Sequence, residues 1–82
     1  MKKIRFHPNV RDEVRAVEQK AALSILAAIH RYAATGVGDV KQLSGAFDGL
    51  LRLRVGDYRI LFDETAETIT VHRIRNRREA YR

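Results

Sequence analysis

A two-residue loop, Gly56 and Asp57, constrains this chain more than any other feature of its sequence. It separates two strand-like runs, and glycine in the first place of such a loop is typical of a type II′ β-hairpin. A loop of this length fixes which residues face each other across the hairpin. The predicted pairs are Val55 with Tyr58, Arg54 with Arg59, Leu53 with Ile60, Arg52 with Leu61, and Leu51 with Phe62.

The two faces of this hairpin differ in character, because side chains alternate along a strand. One face carries Arg52, Arg54 and Arg59, and Arg54 lies directly across from Arg59. Like charges across a ladder destabilise a sheet, whereas arginine forks suit phosphate oxygens. A bound polyanion explains this arrangement better than arginines that only keep the sheet hydrated. The apolar face is predicted to be the core face: Leu51, Leu53, Val55, Tyr58, Ile60 and Phe62.

Length and composition exclude several classes of protein. The 82 residues predict a single domain, residues 1–82, with a small core. The absence of cysteine excludes disulfides and thiolate metal sites, and three isolated histidines do not make a zinc site, so no metal or cofactor is expected. There is no signal-peptide pattern and no run long enough to span a bilayer, which predicts a cytoplasmic protein without a membrane partner. The net charge of +6 points to nucleic acid or an acidic protein partner.

The first half of the chain predicts a short strand and two helices. Residues 3–6 alternate, with Ile4 and Phe6 inward, and Pro8 begins the first helix. Its apolar stripe is Val10, Val14 and Val17, and the residues off the stripe are predicted to be solvated: Arg11, Asp12, Glu13, Arg15 and Glu18. Residues 19–34 form a second helix with a broad apolar stripe, which Gly36 and Gly38 end. Its second apolar side (Leu23, Ala27 and Ala28) is either buried in the protein or covered by a partner.

The second half predicts a connection and three strands. Residues 39–49 form an irregular connection that tucks Val40, Leu43 and Phe47 onto the core. A four-residue turn at 64–67 precedes a fourth strand at 68–74, and residues 75–82 then leave the sheet edge as a turn or short helix. That turn predicts three pairs: Ile69 with Phe62, Val71 with Ile60, and His72 with Arg59. The order β-α-α-β-β-β is an α+β fold, with two N-terminal helices packed on one face of a small, largely antiparallel sheet.

Two runs carry a family resemblance, LRLRVGDYRILF at residues 51–62 and RIRNRREAYR at residues 73–82. With the order of elements, they resemble the RelE/ParE superfamily of toxins from type II toxin–antitoxin systems, which has a RelE-like (microbial RNase-like) fold. The basic tail that ends on a tyrosine is similar to the RelE branch, whose members cut messenger RNA in the ribosomal A site. The resemblance implies a bacterial or archaeal endoribonuclease toxin that acts on mRNA and the ribosome and is inhibited by an acidic antitoxin.

The resemblance also implies roles for the arginines of the sheet. Arg52 and Arg54 match the basic strand positions of the family, and Arg59 matches the arginine of its Tyr-Arg pair, which holds the phosphate. Arg75 is a further candidate for RNA binding. RelE-like enzymes use no metal, because the 2′-hydroxyl of the RNA itself attacks the scissile phosphate. The products are a 2′,3′-cyclic phosphate and a 5′-hydroxyl.

The tail supplies the remaining catalytic candidates. Arg77 or Arg78 matches the tail arginine, which stabilises charge or protonates the leaving group, and Tyr81 matches the tyrosine that stacks on or orients a base. Glu79 is a possible participant in proton transfer, or it pairs with a neighbouring arginine.

The chain departs from the family pattern where a general base is needed. Relatives often have lysine at the positions of Arg52 or Arg54, and many have histidine at the position of Asn76. Arginine stays protonated and asparagine takes no proton, so the candidates for the base are Tyr81, Glu79 and His72. Two alternatives therefore stay open: a ParE-like toxin that inhibits gyrase and cuts nothing, and a catalytically weak relative that binds RNA without turnover.

Overall fold

Five strands and two helices make up residues 1–47 and 49–76, the part of the chain that the computed structural model describes. The strands are β1 (Lys3–Phe6), β2 (Val40–Gln42), β3 (Leu51–Val55), β4 (Tyr58–Glu64) and β5 (Thr68–Asn76), and the helices are α1 (Pro8–Arg15) and α2 (Gln19–Thr35). One mixed sheet has the order β1-β5-β4-β3-β2. β1 runs parallel to β5, and the other neighbours are antiparallel. The α+β class, with two helices on a sheet, is confirmed.

The hairpin between β3 and β4 has the predicted register throughout. Val55 pairs with Tyr58 and Arg54 with Arg59, and the pairing continues to Leu51 and Phe62. Gly56 has a φ of 57°, which glycine adopts without steric strain, whereas no other residue type has a positive φ in the described chain. A positive φ at the first loop residue alone is the signature of a type II′ turn.

The sheet contains one strand that the sequence did not predict. Residues 39–49 were expected to be irregular, but β2 pairs with β3 from Val40 opposite Leu53 to Gln42 opposite Leu51. A 3-10 turn at Gly45–Phe47 follows. Val40 packs against the core and Leu43 is half-buried, but the Phe47 side chain is 52% exposed and does not seal the connection as predicted.

The predicted register between β4 and β5 is wrong. Phe62 pairs with Val71 and Glu64 with Ile69, because the turn is shorter than four residues. Thr65 closes it: the Thr65 amide donates to the Thr68 carbonyl at 2.8 Å, and its hydroxyl accepts the Thr68 amide at 3.0 Å. The register then shifts again, by one residue, between Leu61 and Phe62.

β5 also ends later than predicted. Arg75 and Asn76 belong to the strand, where they pair with Arg59 and Tyr58, and do not leave the sheet. The predictions for residues 77–82 concern a segment outside the described residues, as do the roles of Arg77, Arg78, Glu79 and Tyr81.

The core lies between the helices and one face of the sheet. Val10 from α1 and Ile25 and Ile29 from α2 are buried against the apolar hairpin face, as the helical spacing predicted. The full buried cluster is Val10, Ile25, Ile29, Ala33, Leu53, Ile60, Phe62, Ile69, Val71 and Ile74. α2 ends at Gly36, whose φ of 76° makes it the left-handed cap that the sequence predicted.

Three departures from the predicted burial occur around the helices. Phe6 lies on the core side of β1, yet at this sheet edge its side chain is 41% exposed. Leu23 and Leu26 on α2 are exposed, so that helix is buried on one side by the described residues. Glu13 is not solvated as predicted, because its carboxylate accepts hydrogen bonds from the Ile74 amide at 2.9 Å and from Arg73 Nε at 3.2 Å.

A polar link joins the N-terminus, α2 and β4 on the core side of the sheet. Tyr32 Oη donates to Glu64 Oε1 at 2.8 Å, and Lys2 Nζ donates to Glu64 Oε2 at 2.5 Å. Lys2 Nζ also donates to the Thr65 carbonyl at 2.7 Å. The carboxylate of Glu64 therefore holds three separate parts of the chain together. None of the helices in residues 1–47 and 49–76 has the length and hydropathy needed to cross a membrane.

Candidate nucleic-acid interface

Four arginines from three strands lie together on the sheet face opposite the helices. Arg54 on β3 faces Arg59 on β4, and Arg59 in turn faces Arg75 on β5. Directly facing residues have Cβ atoms about 4.5–5.5 Å apart. Arg52 lies two residues from Arg54 on the same strand and therefore on the same face. We call this set, Arg52, Arg54, Arg59 and Arg75, the basic face; it contains every sheet arginine to which the sequence gave an RNA-binding role.

Lys41 extends the basic face at the edge of the sheet. It is the register partner of Arg52 and is exposed on β2. Sequence reasoning missed this lysine because it lies in the segment expected to be irregular. The alternation of Val40, Lys41 and Gln42 spans only three residues and is therefore a weak strand signal. Pairing with β3 identifies the segment as a strand.

Two arginines of the basic face, Arg52 and Arg59, are partly buried, whereas Arg54 is exposed. The Arg52 side chain is 11% exposed, and the Nε atoms of Arg52 and Arg59 are shielded from water without a hydrogen-bond acceptor in the described chain. Buried polar groups are normally paired, and an unpaired one costs about 1–3 kcal/mol. A phosphate oxygen can accept these N–H groups once the arginine side chains shift to expose them, so an anionic ligand would remove this cost.

Among residues 1–47 and 49–76, carboxylates offset this positive charge only at its margins. Asp39 Oδ1 accepts from Arg52 Nη2 at 3.4 Å, a long contact, and the Asp39 side chain is 64% exposed. Exposed pairs of this kind contribute about 0–1 kcal/mol. The second acid on this face, Asp63, is bound to His72 instead of an arginine. In the described part of the chain Arg54, Arg59 and Arg75 form no ion pair, so the centre of the face keeps its positive charge.

His72 lies on this sheet face but not where the sequence placed it. The predicted β4–β5 register placed His72 opposite Arg59. In the structure the partner of Arg59 is Arg75. His72 instead contacts Asp63 through Nε2, and its ring lies 4.8 Å from that of His7, centroid to centroid. His30 is exposed on α2. In the described part of the chain no group of histidines and carboxylates has the geometry to hold a metal ion.

This fold is shared with proteins from solved toxin–antitoxin complexes. A chain of the RelB–RelE antitoxin–toxin complex from Methanococcus jannaschii superposes with a TM-score of 0.77 at 22% identity, covering 94% of both chains. The archaeal RelE–RelB complex from Pyrococcus horikoshii OT3 gives 0.75 at 22% identity, covering 93% and 94%. The toxin–antitoxin complex RelBE2 from Mycobacterium tuberculosis gives 0.68 at 25% identity, covering 93% and 98%.

A small α+β toxin fold is thus the class that the architecture and the basic face define. The sequence identifies the family: the model described as the ParE toxin of type II toxin–antitoxin system, parDE, matches residues 4–81, so the chain belongs to this family within the RelE/ParE superfamily. No curated protein matches the chain in sequence. The resemblance to the RelE/ParE superfamily is confirmed.

Proposed function

We propose that this toxin is a metal-independent, ribosome-dependent endoribonuclease that inhibits translation by cutting messenger RNA in the cytoplasm. The observation that carries the proposal is the basic face, in which four arginines converge and two of them keep buried, unpaired Nε groups. Such a face suits the phosphates of a single RNA strand. Arginine forks bind phosphate oxygens in pairs and stay charged at every physiological pH.

The proposed chemistry is attack by the 2′-hydroxyl of the RNA on its own 3′-phosphate. Arg59 binds the scissile phosphate, and Arg52 and Arg54 stabilise the charge that develops on its oxygens. Arg75, which faces Arg59, binds the same phosphate or its neighbour. Removing one donor from such a site costs on the order of 10²–10³ in rate.

The tail completes the proposed site. Arg77 or Arg78 stabilises the charge on the leaving 5′-oxygen, Tyr81 stacks on a base, and Glu79 is a further candidate for proton transfer. These assignments rest on the match of residues 73–82 to the RelE branch.

The proposed need for a ribosome follows from what the sheet lacks. β3 carries arginines where relatives often carry lysines, and a protonated arginine cannot accept the 2′-proton. A weak site gains most from a substrate that is already positioned, and orientation alone is worth several powers of ten in rate. Rapid, specific cutting of naked RNA by the pure protein would count against this part of the proposal.

An acidic antitoxin is the proposed inhibitory partner. A protein segment with carboxylates that contact Arg54, Arg59 and Arg75 would neutralise the basic face and block RNA at the same time. The exposed Leu23 and Leu26 of α2 offer apolar area for the same partner.

Inhibition of DNA gyrase without RNA cleavage is the second candidate function. The observation in its favour is that the matching family model is that of ParE toxins. In that case the basic face is a protein-docking surface. A third outcome, RNA binding without turnover, is favoured by the arginines of β3 and by Asn76 at a position where many relatives have histidine.

Primer extension on a cellular message after brief induction of the toxin tests the proposal. We expect new 5′ ends at discrete codons in cells that make the wild type, and their loss with Arg59→Ala. Arg31→Ala is the matched control, because it removes the same charge from an exposed position on α2. Circular dichroism checks that both variants fold.

The outcomes separate the candidate functions. New 5′ ends from the wild type and Arg31→Ala, but not from Arg59→Ala, support the nuclease. Arrested growth with intact message and DNA damage supports gyrase inhibition. Intact message and intact DNA, together with ribosome or RNA binding that Arg59→Ala weakens, support binding without turnover.

A further inference from the structure

His72 and Asp63 form a hydrogen-bonded pair that the proposed mechanism has not used. His72 Nε2 donates to Asp63 Oδ2, and the two side chains are 29% and 40% exposed. Asp63 lies two residues beyond Leu61, the register partner of Arg52, so Asp63 and Arg52 are diagonal neighbours on one face. The Cα atoms of such neighbours are about 7–8 Å apart. The pair therefore borders the basic face.

A β-bulge aims His72 at this place. Leu61 pairs with Arg73 and Phe62 pairs with Val71, which leaves His72 as the extra residue on β5. Bulges of this kind re-aim a side chain and occur preferentially beside active sites. A ladder that continued the turn-side register without a bulge would have placed His72 directly opposite Leu61.

Neighbouring groups hold His72 in position. The Asn9 side-chain amide donates to the His72 carbonyl at 2.9 Å, which fixes the backbone at the bulge. The His7 ring packs against the His72 ring at a centroid distance of 4.8 Å and an interplanar angle of 35°. The imidazole is thus restrained by Asp63 on one side and by His7 on another, so its orientation is largely set before RNA binds.

The contact with Asp63 determines which ring nitrogen can act. A neutral imidazole that donates through Nε2 carries its lone pair on Nδ1. In residues 1–47 and 49–76 no group hydrogen-bonds to that Nδ1. A carboxylate that accepts from one nitrogen selects this tautomer and stabilises the imidazolium that forms when the other nitrogen takes a proton.

We propose that His72 is the general base of RNA cleavage, oriented by Asp63; the assignment rests on the proposed nuclease function. His72 Nδ1 takes the proton of the 2′-hydroxyl. The 2′-oxygen forms a bond to phosphorus, the bond from phosphorus to the 5′-oxygen breaks, and water protonates that oxygen. His72 then returns its proton to solvent. The products are the 2′,3′-cyclic phosphate and the 5′-hydroxyl.

The distance between His72 and Arg52 suits a proton acceptor and a phosphate-binding group that act on one nucleotide. Two inter-strand spacings of about 4.8 Å separate β5 from β3, so the backbones at His72 and Arg52 are roughly 10 Å apart. Leu61 lies between the two strands, since it pairs with Arg52 on β3 and with Arg73, the neighbour of His72, on β5. His72 supplies the proton acceptor that Arg52, Arg54 and Asn76 cannot supply.

The charged groups around the imidazole come from every element packed near it. β4 contributes Asp63, and β5 contributes Arg73, which is itself paired with Glu13 of α1. β1 contributes Arg5, the register partner of Thr70, and His7 follows β1 directly. A pH profile of cleavage reports on this whole set, so the test needs a readout that is specific to the imidazole.

Chemical rescue in single-turnover cleavage of a message on purified ribosomes provides that readout. His72→Ala removes the base and leaves space for free imidazole. We expect the cleavage rate to fall on the order of 10²-fold and to recover in part when imidazole is added, following the unprotonated form of the added base. Asp63→Asn should slow cleavage less than His72→Ala. His30→Ala is the matched control, since it removes an exposed histidine from α2.

Each outcome decides for or against the base. Recovery of His72→Ala by imidazole, with no effect of imidazole on the wild type or on His30→Ala, supports the assignment. Unchanged cleavage by His72→Ala, or a loss that imidazole does not restore, overturns it and leaves the nuclease function standing. Absence of cleavage by the wild type overturns both proposals. Thermal unfolding of each variant is measured alongside, so that a loss through misfolding is recognised as evidence for a structural role.

Discussion

Replacing Tyr32 with phenylalanine removes a single hydroxyl from the link among α2, β4 and the N-terminus. Tyr32 Oη donates to Glu64 Oε1 at 2.8 Å, and Glu64 keeps its second contact with Lys2 in the variant. The ring itself packs edge-on against Phe62, at a centroid distance of 5.5 Å, and phenylalanine preserves that contact. The substitution therefore isolates one hydrogen bond to a charged acceptor.

The expected loss of stability is about 1.5–2 kcal/mol at neutral pH. Hydrogen bonds to charged groups contribute about 1.5–3 kcal/mol. The lower part of this range applies because the Glu64 side chain is 22% exposed, so water can replace the lost donor. Glu64 also remains paired with Lys2, which limits the cost of leaving its other oxygen unbonded.

The same hydroxyl makes the stability sensitive to alkaline pH. Burial, assisted by the hydrogen bond to Glu64 and its negative charge, raises the pKa of Tyr32 from 10.0 to about 12. A pKa that is higher in the folded state stabilises the protein fully below pH 10, and this contribution is lost as the pH rises through about 12. The difference in unfolding free energy between the wild type and Tyr32→Phe should therefore shrink across this interval.

Urea unfolding followed by far-ultraviolet circular dichroism, from neutral pH to about pH 12, measures this difference. Tyr58→Phe is the matched control, because Tyr58 is half-buried on β4 and takes no part in the link. Other groups titrate in the same range, but they affect the wild type and Tyr32→Phe alike. A Tyr32→Phe variant as stable as the wild type, or a difference that stays constant up to pH 12, would refute the reasoning.

Two further substitutions test how the sheet is held. Glu13→Ala removes the acceptor of the Ile74 amide and of Arg73 Nε, and should lower the free energy of unfolding by about 1–3 kcal/mol, with Glu13→Gln losing less; equal urea midpoints for both variants and the wild type would contradict this. Gly38→Ala would bring a Cβ within 2.9 Å of Leu53 Cδ1, and the forced shift of this buried side chain should cost about 1–3 kcal/mol, seen as a lower melting temperature.

Local chemistry explains why the hairpin could be predicted in full. Gly56 and the two-residue loop fix the pairing from Val55 to Leu51 without help from the rest of the chain. The loop alone therefore predicts that Arg54 lies opposite Arg59, at the centre of the basic face. The start of α1 at Pro8 and the end of α2 at Gly36 are equally local signals.

Longer-range features were predicted less well. β2 has three residues, and its identity as a strand comes from β3 beside it, so Lys41 was not recognised as part of the face. The β4–β5 register depends on hydrogen bonds of the Thr65 side chain and on the bulge at His72, neither of which leaves a pattern in the sequence. The role of Glu13 was missed for a similar reason, because the Ile74 amide that donates a hydrogen bond to it lies 61 residues away in the sequence.

The sheet ends on both sides in short strands with cationic side chains. β1 alternates Lys3 and Arg5 with apolar residues, and β2 carries Lys41 between Val40 and Gln42. An exposed strand edge is a template on which another chain can add its own strand, and charged residues on short edges oppose this. A second copy of this protein that approached either edge with its own would bring like charges together. The cations on these two edge strands thus discourage the toxin from self-association through its sheet.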